Sequence, residues 1–169
     1  MKKLLGFLVI MGVVLLGACS SPEADEIIEY QNSYVEFINP LSVEIDEVLQ
    51  KINMAATAGE AYEIQENELV PIAEDIKDFI DSKNPESDVV KEYHAIIEGQ
   101  LNNWYDGIMM EYETMGQFIN GEITEAEAQE LYAQASEKYM AANEYEQEAL
   151  DKMDELAQEY NIEEEELEE

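Results

Sequence analysis

The side chains able to do chemistry in this 169-residue chain are few beside its acids: one histidine, His94, one cysteine, Cys19, and 41 Asp and Glu. A neutral imidazole ligates metals and carries protons near neutral pH. His94 falls on the apolar seam of a predicted helix, and counting antiparallel levels from the next turn places Glu146 within about one helical turn of it. A His94–Glu146 pair inside a bundle would bind a metal or respond to pH. The simpler reading is a half-buried histidine satisfied by a local hydrogen bond, and it is the one we expect. Other chemistries fail on inventory. A carboxylate-bridged di-iron site takes a Glu-x-x-His from each of two helices, and one histidine cannot serve both. A zinc site needs more His and Cys than the chain has. Nucleophile-elbow, phosphate-loop and EF-hand spacings are missing. With no arginine in the sequence, bidentate capture of phosphate or carboxylate is closed. Paired carboxylates carry no signal among so many acids. We expect no catalysis and no cofactor.

Cys19 has a more specific setting. Met1-Lys2-Lys3 is a short basic start, and Leu4 to Leu16 is apolar with Gly6 and Gly12 as its only breaks. Such a stretch spans roughly 20 Å as a helix, short of a ~30 Å hydrocarbon core, so it reads as an export signal and not as a membrane span. Leu16-Gly17-Ala18-Cys19 resembles the lipobox of bacterial lipoproteins. The resemblance implies a signal peptide, residues 1–18, cut before Cys19, and a diacylglyceryl group on the Cys19 sulfur. It implies a place at the cell membrane, lipid-anchored on the extracytoplasmic face. Two acyl chains anchor stably where one is marginal.

The formal charge is −33, and loss of Lys2 and Lys3 with the signal leaves 6 − 41 = −35. A balance so negative argues against a nucleic-acid partner, because no basic patch meets phosphates. It also repels an anionic membrane surface within a Debye length, ~8 Å at physiological salt. Solubility in a salty or alkaline exterior accounts for it, and divalent-cation binding or buffering is the alternative.

The elements that position these residues read as helices, and no stretch reads as a strand. Residues 19–25 form a lipidated tether, 26–160 a helical bundle domain and 161–169 an acidic tail that frays by self-repulsion. Helix 1, about 23–58, carries Ile27, Tyr34, Ile38, Leu41, Ile45, Val48 and Ile52 at alternating three- and four-residue spacing. Pro40 kinks it, and Gly59 stops it. Helix 2, about 60–82, bends at Pro71. Asn84-Pro85-Glu86 opens helix 3 as N-cap, first helical residue and first-turn acid. Helix 3 runs to about Asn120 and contains Gly99, Gly107 and Gly116, which permit close packing or a bend. Thr124-Glu125-Ala126-Glu127 is a capping box that opens helix 4. The predicted fold is all-α: an up-down-up-down four-helix bundle with helices 1 and 2 kinked.

Helix lengths carry one further expectation. Helix 2 is the short one, so the helix 3/4 hairpin should overshoot its neighbours by about 19 Å at 1.5 Å per residue. The overshoot would leave Met109, Met110, Tyr112, Met115, Phe118, Ile119, Leu131 and Tyr132 as a partner-binding face rich in Met and aromatics. The expected function is therefore an extracytoplasmic binding lipoprotein whose partner is an envelope protein or cell-wall component.

Overall fold

The computed structural model describes residues 13–16 and 21–166, with side chains over 21–162. The basic start, most of the apolar stretch and Cys19 lie outside the described residues.

Helix α1, Pro22–Met54, starts as soon as its cap allows: the Ser21 hydroxyl accepts from the Ala24 N–H, and Pro22 occupies the first turn, where no N–H is needed. The helix thus begins three residues after Cys19 (22 − 19), and most of the expected 19–25 tether is helical. Pro40 lies within α1 without ending it. The chain leaves the helix at Ala55, whose ψ is 135, and not at Gly59. Thr57 accepts from the Glu60 N–H at 3.1 Å, while the Glu60 carboxylate accepts from the Ala56 N–H at 2.8 Å. This reciprocal cap starts α2, Ala58–Ile64, and places Gly59 inside its first turn.

Residues Gln65–Leu69 then form a π-turn, and α3, Val70–Ser82, continues the same rod. Pro71 explains the wide turn. It has no N–H to give and its ring crowds the carbonyl four residues back, so the Val70 N–H reaches five residues back to the Gln65 carbonyl. Helix α4, Asp88–Ile119, is capped by Ser87, whose hydroxyl accepts from the Val90 N–H. The expected start at Asn84-Pro85 is corrected: the Glu26 carboxylate of α1 accepts from the Glu86 and Ser87 N–H groups and holds that link outside the helix. Gly121, at φ 71, turns the chain where a side chain would be strained. The Thr124 capping box forms as read, and α5, Glu125–Tyr160, ends at Asn161 in the left-handed conformation.

The described domain is all-helical, with four helical units. Helix α4 contacts each of the other helical segments and packs closest on α5. The reason is small side chains. Ala128, Ala135, Ala142 and Ala149 recur every seven residues on α5 and are all buried. On α4, a Cβ at Gly107 would meet Tyr139 Cε1 at 2.5 Å and one at Gly99 would meet Tyr145 at 2.6 Å, while Gly116 sits less tightly under Tyr62, at 3.0 Å. These glycines seat tyrosine rings. Helices α1 and α3 run in opposite directions, since Phe37 stacks on Phe79 at 4.2 Å and Lys51 meets Glu68 in the π-turn. Helices α4 and α5 do likewise, through Asp106–Lys138 and Glu92–Lys152.

A short two-stranded ribbon lies beside the helices among the described residues. Strand β1, Val13–Leu16, pairs antiparallel with β2, Glu163–Glu166, with Leu16 opposite Glu163.

Candidate functional site

His94 does not meet Glu146. Its Nδ1 lies 2.7 Å from the Tyr30 hydroxyl of α1, and the two rings meet edge-on at 5.7 Å. Burial lowers the His94 pKa, Glu98 opposes that shift and Lys83 adds to it. The lowered pKa favours the neutral imidazole, and its tautomer sets which group donates across the 2.7 Å contact. Glu146 is felt instead by Tyr34, and burial raises its own pKa. Among the described residues, no group of three or more His, Cys, Asp or Glu is placed to hold a metal ion.

The Tyr30–His94 contact belongs to a polar ladder between α1 and α4. Tyr93 donates to Gln31 Oε1 at 2.7 Å, and Tyr34 donates to Gln100 Oε1 at 2.9 Å. All four of these side chains are buried. A tyrosine on each helix thus answers a glutamine on the other. Pairing fixes the register of two parallel helices, because a slip leaves several buried polar groups unmet.

A second polar cluster lies where α4 meets α5. Glu111 accepts from Tyr139, and burial outweighs that bond to raise the Glu111 pKa. Tyr132 also feels the Glu111 charge, although burial is the larger cause of its raised pKa. A shallow hollow of about 350 Å³ beside Asp154, Ala157, Gln158, Asn161 and Ile162 brings one carboxylate and two amides together.

The predicted partner face is only partly uncovered. Met109, Met110, Tyr112, Met115, Leu131 and Tyr132 are half-buried, while Phe118 and Ile119 are each 41% exposed. The cover comes from α2. Tyr62 stacks on Tyr112 at 5.0 Å with rings 7° from parallel, and its hydroxyl donates to that of Tyr112 at 3.0 Å. Tyr112 in turn donates to Glu66. Tyr62 is four residues from the start of α2 (62 − 58), and Ile119 is seven beyond Tyr112 (119 − 112). The hairpin thus stands proud by three residues, about 5 Å, and not by 19 Å. The late start of α4 and the early start of α2 remove six residues of the expected overshoot, about 9 Å. What remains open at this end is the tip: Phe118, Ile119 and Met54, the last 76% exposed.

No family model, no curated protein and no solved structure matches this chain. Among the described residues, no helix is long and apolar enough to cross a membrane. Sequence reasoning missed the Tyr–Gln ladder and the Tyr62–Tyr112 stack. Gln31 and Gln65 in otherwise apolar seam slots were the available signal for buried polar contacts, and Gln100 gave none.

Proposed function

We propose that this chain is a lipid-anchored, extracytoplasmic helical binding protein that works without catalysis. Residues 1–18, β1 among them, are a signal removed before Cys19, so that the mature protein lacks β1, and a diacylglyceryl group on Cys19 holds the protein to the cell membrane. The helices form an up-down-up-down bundle, kinked at Pro40 and Pro71, that carries its partner surface at the far end. The partner is an envelope protein or cell-wall component. One observation carries the reading: Met54, Phe118 and Ile119 are open to solvent at the end of the helices away from Pro22, the residue where α1 begins three positions after Cys19. A helix of 33 residues puts those side chains about 50 Å from Pro22.

The anchor is tested at Cys19. Cells fed an alkyne fatty acid should label the wild-type protein and not Cys19→Ser, which should accumulate as the longer precursor or leave the membrane fraction. Unchanged processing and fractionation of Cys19→Ser would remove the anchor and the orientation that follows from it.

A further inference from the structure

The lysines of the helical domain are unevenly placed. Lys51 binds Glu68 and Lys138 binds Asp106. Glu68 lies six residues along the chain from Tyr62 (68 − 62), and Asp106 lies six residues before Tyr112 (112 − 106). Because Tyr62 and Tyr112 are stacked, the two ion pairs sit at one height, about 9 Å below that stack. They form a belt. Beyond it, residues 52–67 hold three glutamates and residues 107–137 hold seven, with no lysine or arginine in either stretch. Lys77, Lys83, Lys91 and Lys152 belong to the other half of the helices. The tip therefore joins three exposed apolar side chains to a wholly anionic surround. Three side chains alone are a small patch, and the surround biases what approaches them: an acidic partner is repelled, a neutral one gains nothing from the field, and a cationic one is steered in.

We infer that the distal tip takes a basic, amphipathic segment of a protein partner. Its apolar face seats on Met54, Phe118 and Ile119, and its lysines or arginines meet the glutamates around them. The inference rests on the binding-protein reading above and names the chemistry of the partner. A polycation without apolar residues is held by diffuse charge alone and is released by physiological salt. The amphipathic segment keeps its apolar contacts, which salt does not screen.

The test uses the full chain in phosphatidylcholine nanodiscs and two helical peptides of equal charge, one of lysine and leucine, the other of lysine and glutamine. Calorimetric titration at about 0.15 M salt, with empty nanodiscs subtracted, should show saturable binding of the Lys/Leu peptide and roughly tenfold weaker binding of the Lys/Gln peptide. The double variant Phe118→Ser/Ile119→Ser should weaken the Lys/Leu peptide by roughly tenfold, about 1.4 kcal/mol. Val43→Ser/Met140→Ser, which removes exposed apolar side chains from the flanks, should not. If the tip double variant melts early, Glu122→Lys/Glu130→Lys at exposed positions gives the same reading through charge and should also weaken binding. Equal affinity for the two peptides, or equal loss from flank and tip variants, overturns the inference. So does preferential capture of phosphatidylglycerol vesicles by the tip. Failure with the peptide while a photo-crosslinker at position 119 still captures a cell protein would discard the basic segment and leave the binding-protein reading standing.

Discussion

Tyr34 and Gln100 show how much one buried pair can weigh. Tyr34→Phe leaves Gln100 Oε1 buried without its 2.9 Å donor, at a cost of about 1–3 kcal/mol. Adding Gln100→Leu removes the orphaned group, so the double variant should melt above the single one; a double variant no better than Tyr34→Phe would show that the bond is not what is lost. Gly107→Ala is set by space. Alanine improves helix propensity by up to ~1 kcal/mol, but its Cβ would lie 2.5 Å from a Tyr139 ring that Glu111 also holds. Overpacking costs about 1–3 kcal/mol, so we predict a lower melting temperature; a rise would mean the ring moves freely. Glu111→Gln should act through pH. The carboxyl's raised folded pKa means protonation stabilises the native state, an effect fully present below the unfolded value and lost as pH rises through the folded one. The variant should therefore melt above wild type at pH 7, and the gap should close on acidification. At this scale the sequence was read best where a residue acts through its neighbours in the chain. His94 was expected to find a local hydrogen bond, but its partner, the Tyr30 hydroxyl, is 64 residues away and no spacing rule points to it.

Caps decide where the elements begin, and the start of α4 differs from the one expected at Asn84-Pro85. Asn84-Pro85 has the better local pattern, yet Ser87 does the capping because Glu26 takes the two preceding N–H groups from another helix. Ser87→Ala should cost about 1 kcal/mol and Asn84→Ala close to nothing. Thermal melts of both variants check this, and the reverse order would restore the local reading. The Thr124 box was legible because both of its partners lie within four residues. The Thr57–Glu60 cap has the same Thr-x-x-Glu spacing and was overlooked behind Gly59, the more familiar stop signal. The pattern suggests a bend at Pro71 in the second helical unit, but it cannot say that the backbone takes one π-turn at Gln65–Leu69. The wide turn costs the seam no register, because Leu69 and Ile72 remain buried. The three glycines of α4 were open to two readings, and only the tyrosines of α2 and α5 choose between them.

For the molecule as a whole, periodicity was enough for four helical units, because the apolar spacing continues through Pro40 and through five turns' worth of alanine on α5. Lengths alone misjudged the tip, since errors of a few residues at each helix end add along the chain. Charge acts at this scale too. A net −33 repels itself in the folded state, and Glu111 and Glu146 share a raised pKa from burial, so acidification from pH 7 towards pH 5 should raise the melting temperature. Glu26 and Glu127, with lowered pKa values, and His94, which folding makes harder to protonate, pull the other way; they are three against the collective repulsion of the rest. A steady fall in melting temperature over that range would contradict the account. The same charge supplies the alternative of cation buffering: specific sites would give saturable calcium or magnesium heats that survive about 0.15 M monovalent salt, and we expect none. The central claim is that the tip is the working surface. The measurement that reaches it most directly is photo-crosslinking in intact cells from position 119 at the tip and from position 43 on the flank. The account predicts a discrete protein adduct from position 119 and none from position 43, and adducts of equal yield from both, or from position 43 alone, would contradict it.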